Sequence, residues 1–150
     1  MHRIRRFLAL PGGQRKVLAE AAFWLSVARV AVACLPFRWI VRYLGKFSAE
    51  HGPLEGEDRS EDLRSVLWSI RVVSRHLPWE SRCLVQAVAG QRMLCGRGLP
   101  STLYLGVAND EESGELVAHA WLRSGERILT GDGRLERYAV VARFGAEDES

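Results

Sequence analysis

Residues 82–100 read RCLVQAVAGQRMLCGRGLP, and the folding of this stretch decides how the rest of the chain is read. Wound at about 100° per residue, Leu84, Val85, Ala87, Val88, Ala89, Met93, Leu94 and Cys95 leave only narrow polar gaps at Gln86, Gly90, Gln91 and Arg92. A helix that is apolar nearly all round belongs in the middle of a fold. It is expected to begin near Arg82, with Ser81 able to cap it, and to run to about Cys95 before the Gly-Arg-Gly-Leu-Pro break. Cys83 then falls in its first turn, just after a Pro-containing loop.

Beyond Gly98 the pattern changes to short β-like runs, STLYLGVA, LVAHAWLRS, RILTG and RYAVVARF, separated by NDEESG, GE and GDGRLE. These predict a meander of antiparallel strands. On the other side, Leu63, Val66, Leu67, Ile70, Val73 and Leu77 recur at three and four, which predicts an amphipathic helix over 60–77 with Ser60 as its N-cap. Helices first and strands afterwards make an α+β domain.

Residues 14–35 have few charges and no Gly or Pro, and they read as a helix that Pro36 ends. Arg29 divides the apolar run, and Lys16 and Glu20 sit near its start, so packing on this protein or a partner is favoured over a membrane span. FRWIVRYLGKF follows as a second amphipathic segment. The organisation expected is an apolar and basic helical segment at 1–47, a Gly-, Pro- and acid-rich linker at 48–59, a catalytic domain at 60–145 and an acidic tail at 146–150.

The chain has 150 residues, enough for one domain with its own core, and 47% hydrophobic with 26% charged residues is an ordinary globular composition. Its formal charge is +3, with Arg3, Arg5, Arg6, Arg15 and Lys16 crowded into an N-terminal arm and an acidic C-terminus. That arm reads as a solvated, solubilising one, and no nucleic-acid partner is expected. Three cysteines, with no Cys-x-x-Cys pair and no secretion signal, give no disulfide framework and point to the cytoplasm. The cysteines and the four histidines lack the short paired spacings of zinc sites, so neither metal nor cofactor is expected.

A cysteine at a helix start is placed for chemistry. The unpaired N–H groups and the positive end of the helix dipole favour a thiolate, and the same groups suit an oxyanion. A thiolate that attacks an amide needs an imidazole as partner, and His119, between Ala118 and Ala120, is the only histidine in the strand region. Asp132, in the turn after the following strand, is the nearest group to fix its tautomer. Each residue alone has a plainer reading: a lone cysteine is usually packing, as Cys34 and Cys95 are expected to be, and Asp132 between glycines is a turn residue. The order of helix-start Cys, strand His and next-turn Asp joins them.

Those residues carry a resemblance. RCLVQAVAGQRMLCGRGLPSTLYLGVA followed by AHAWLRSGERILTGDGRLERYAVVARF resembles the leader-peptide proteases of lasso-peptide biosynthesis, a branch of the transglutaminase-like cysteine enzymes. The resemblance implies a transglutaminase/papain-like fold and a triad of Cys83, His119 and Asp132, with Glu136 as second choice for the acid. It implies removal of the leader from a ribosomally made precursor peptide through an acyl-enzyme that water opens. It also implies a separate leader-recognition protein, since the segment before residue 48 leaves no room for a fused one, and an asparagine-synthetase-like cyclase acting on the freed core. Membrane-surface contact through the N-terminal helix is a further expectation. Two rival readings remain: an acyltransferase or transamidase using the same residues, and a non-catalytic interaction protein on the same fold.

Overall fold

The structure is a computed structural model, and it describes residues 2–43, 46–47, 57–77, 83–124, 127–131 and 134–146. Five helices, α1 (His2–Leu8), α2 (Gly12–Cys34), α3 (Phe37–Tyr43), α4 (Glu57–His76) and α5 (Cys83–Cys95), are joined by five strands. These are β1 (Lys46–Phe47), β2 (Ser101–Asn109), β3 (Leu116–Ser124), β4 (Arg127–Thr130) and β5 (Ala139–Ala146). The α+β architecture expected from the sequence is the one found, with the cysteine-bearing helix laid on an antiparallel sheet and an apolar helix ahead of it.

The apolar circumference of α5 is used on every side. It packs on β2, β3 and β4 with one face and on α2 and α4 with the others. Val85, Ala87, Ala89, Met93 and Leu94 are fully buried there. Gly90 sits at a close approach of α5 to the sheet, since a Cβ at that position would lie 2.9 Å from the Leu122 side chain. Gln91, a gap in the apolar pattern, is also buried, and its Nε2 donates to the Phe144 carbonyl of β5 at 2.9 Å. The helix stops as the Gly-rich sequence requires: Gly98 takes φ 64°, and the Leu99 N–H returns to the Leu94 carbonyl.

Helix α4 buries Leu63, Val66 and Ile70 of its predicted stripe. It begins at Glu57, so Ser60 lies in its first turn and not at its N-cap. Acidic residues in 57–62 suit the positive end of a helix and carry it further upstream than hydrophobic spacing alone suggests. In α2, Leu18, Ala21, Leu25 and Ala28 are buried, and Ala21, Leu25 and Ala28 join the core shared with α4 and α5. Arg97, just past α5, donates to both carboxylate oxygens of Glu20 at 2.9 and 2.6 Å, which ties α2 to the end of the central helix. That hydrogen-bonded carboxylate raises the Arg97 pKa above its ordinary value.

The sheet order is β1-β5-β2-β3-β4, all antiparallel, and this corrects the expected meander. Strands β2, β3 and β4 follow one another, but β5 returns to lie beside β2, which is a Greek key. The reason is in the connection. The chain leaves β4 at Gly131, makes a short 3₁₀ turn at Leu135–Arg137 and reaches β2's free edge through Tyr138. Tyr138 packs against Trp121 and His119, so the crossover runs along the sheet face opposite α5. The basic arm forms the short helix α1, inside the segment expected to be helical, with Arg5 and Arg6 exposed. One further expectation changes: Cys34 is exposed at the end of α2 instead of serving as packing.

Candidate active site

Cys83 is the first residue of α5 and is partly buried. Strand β4 ends at Thr130, opposite Leu122 and two residues along β3 from Ala120. The Ala120 N–H donates to Cys83 Sγ at 3.4 Å. The thiol is therefore held against β3 by the residue next to His119. Cys83 stands at the N-terminal end of α5, where negative charge on sulfur or on a carbonyl oxygen is favoured.

Strand neighbours alternate, so Ala118, Ala120 and Leu122 face α5, while His119 and Trp121 face away. On that far side the His119 ring lies 5.1 Å from the Tyr138 ring and 6.1 Å from the Trp121 ring, both in stacked orientation. Trp121 in turn stacks on Tyr104 at 5.5 Å. Gly106, paired with His119 across the ladder, makes this packing possible, because a Cβ there would come within 2.9 Å of Trp121 and Tyr138.

His119 Nε2 lies 2.8 Å from the Gly131 carbonyl oxygen. A carbonyl can only accept, so the ring carries its proton on Nε2 and leaves Nδ1 as the basic nitrogen. Gly131 holds this carbonyl with φ 74°, and a Cβ on it would run into the Ala120 carbonyl. A backbone carbonyl thus orients the ring, a task that the sequence reading gave to a side chain. Asp132 lies outside the described residues, and Glu136 is exposed on the 3₁₀ turn. Among the described residues the ring and the thiol do not hydrogen-bond to each other.

Cys83 and His119 line one shallow cavity of about 300 Å³. Leu84, Leu105, Val107, Ala118 and Val141 make its walls apolar. It can hold an apolar stretch of peptide beside the sulfur, with polar contacts supplied by backbone. Gly131, Trp121, Tyr138 and Gly106 were not singled out from sequence. His119-x-Trp121 on one strand and a glycine inside LYLGVA were the available signals. Nothing local announced Tyr138, because the crossover brings it in.

A helix that begins on a cysteine and packs on an antiparallel sheet bearing a histidine is the arrangement of transglutaminase/papain-like domains. Residues 31–143, about three quarters of the chain, match the Transglutaminase-like superfamily, and the chain belongs to it. That superfamily includes cysteine proteases and acyltransferases. No curated protein and no solved structure matches the chain.

Proposed function

We propose that this protein is a cysteine peptidase that removes the leader from a ribosomally made lasso-peptide precursor, with Cys83 as nucleophile and His119 as base and acid. The observation that carries the catalytic part is the contact of Cys83 Sγ, at the first residue of α5, with the backbone N–H adjoining His119. The lasso-peptide part rests on the resemblance of the segments around Cys83 and His119.

In this reading the thiol proton passes to His119 Nδ1, and the sulfur attacks the scissile carbonyl carbon. The ring and the sulfur line one cavity, and their contact closes when substrate binds, as catalytic hydrogen bonds of free enzymes often tighten on binding. The Cys83 N–H stabilises the tetrahedral oxyanion. The protonated ring gives its proton to the leaving amine, and the C–N bond breaks to leave a thioester. Water, deprotonated by the same ring, opens the thioester and releases the leader's new carboxylate. The bond from Nε2 to Gly131 keeps the ring in the required tautomer throughout, with Asp132 a further orienting group. Leader recognition falls to a separate protein, and a cyclase takes the freed core.

The test is product mass. Incubating the protein with a precursor and its recognition protein should give two peptides whose masses sum to the precursor plus one water. Conjugates to an added amine, in place of these, would make the protein an acyltransferase. No turnover, together with no selective capture of Cys83 by an electrophilic peptide, would make it a non-catalytic member of the fold.

A further inference from the structure

We propose that the three N-terminal helices form a docking surface for an anionic lipid bilayer. Helix α2 has two apolar faces. One, Leu18, Ala21, Leu25 and Ala28, is committed to α4 and α5. The other, on the opposite side of the helix, carries Phe23, Val27 and Val30, with Phe23 59% and Val30 60% exposed. Ile4 and Leu8, one turn apart on α1, and Trp39 on α3 are exposed as well. Among the described residues, eight of the thirteen exposed large apolar side chains fall within the first 39. An apolar surface this concentrated marks a site of interaction.

Charge says what covers it. Residues 2–43 contain eight Arg and Lys and a single acid, Glu20, which is already paired with Arg97. Arg5 and Arg6 are exposed beside Ile4 and Leu8, and the Arg42 guanidinium lies 5.7 Å over the Trp39 ring. Exposed apolar side chains interleaved with cations, with no free carboxylate to repel phosphate, are the composition of helices that lie in an anionic membrane interface. An apolar cavity of about 370 Å³ between α2, α3 and α5 opens beside Val27 and Leu35 and gives that surface depth. Helix α2 is long and apolar enough to cross a membrane. Its buried stripe belongs to the core that holds α5, however, so it cannot be surrounded by lipid without dismantling that core. It lies on the bilayer.

The experiment is cosedimentation of the full chain with vesicles, which needs no peptide substrate and so stands or falls separately from the peptidase reading. Vesicles of phosphatidylcholine with phosphatidylglycerol should carry the protein down, and phosphatidylcholine alone should not. Binding should fall about tenfold or more between about 0.1 M and about 1 M salt, as the Debye length shrinks from about 10 to about 3 Å. Phe23→Ser with Val30→Ser, and separately Arg5→Glu with Arg6→Glu, should each lower binding by about tenfold with unchanged circular dichroism. Equal binding to neutral vesicles, or wild-type binding by both variant pairs, overturns the proposal. So does absence of vesicle binding, and self-association in sedimentation velocity would then assign the surface to a protein partner.

Discussion

Helices α2 and α5 look alike in the sequence, both apolar round most of their circumference, yet they end in opposite situations. Helix α5 is enclosed by the sheet, α2 and α4, and even Gln91 finds a buried carbonyl. Helix α2 is enclosed on one side only and leaves Phe23, Val27 and Val30 in the open. Apolar circumference therefore measures how much contact a helix calls for, and only the surrounding elements show whether the chain itself supplies it. In α5 the demand is met internally, which makes it a rigid base for Cys83. In α2 half of it is exposed.

The cysteines divide along the same line and provide the sharpest test. Cys83→Ala should abolish precursor cleavage, a loss of about 10³-fold or more, and His119→Ala should behave likewise. Cys34→Ala, at the exposed end of α2, and Cys95→Ala should retain activity. Alkylation assays need a Cys34→Ser background, because Cys34 is exposed and would take up a small probe regardless of activation. Robust cleavage by Cys83→Ala protein would end the catalytic comparison.

Gly131→Ala comes next. It introduces a side chain at φ 74° against the Ala120 carbonyl and so displaces the acceptor of His119. The expected outcome is a fall in kcat of about 10²-fold with a smaller change in KM, since the ring's orientation matters in the transition state. An unchanged kcat would show that other groups hold the ring. Asp132→Ala should then be partial, and full activity in that variant would remove Asp132 from the site.

Stability should separate the two helices directly. Met93→Ala, in the fully buried part of α5, should cost about 2–5 kcal/mol in denaturant unfolding. Val30→Ala, on the open face of α2, should stay within about 0.5 kcal/mol. Equal losses would mean that the open face of α2 is covered in solution. An intermediate effect belongs to the tie between them. Glu20→Gln should cost about 1 kcal/mol, because its side chain is 34% exposed and its partner 21%, and water already screens part of the attraction.

Much of the molecule was legible beforehand because the governing physics is local. Leu63, Val66 and Ile70 repeat at helical spacing. Gly98 permits the turn that ends α5, and the apolar run after Cys83 has helical spacing; the cap expected at Ser81 lies outside the described residues. The four main strands were equally readable from β-branched and apolar runs between turn residues. Ser60 was misplaced by a few residues because spacing reports where a buried stripe begins, while charge can extend a helix ahead of it. Cys34 was misjudged because apolar neighbours in sequence do not imply apolar neighbours in space.

The sequence by itself determined the helical and strand segments, the central place of α5 and the position of Cys83 at its start, since each follows from periodicity and capping within a dozen residues. Only the tertiary structure decided that β5 crosses back to β2, that Tyr138 thereby comes to lie on His119, and that a glycine carbonyl orients the ring. Those contacts join residues from different strands, and their geometry depends on where β4 stops and how the chain leaves it. Such information is carried by packing between elements, where many sequences can satisfy the same local rules and the non-local contacts select the arrangement.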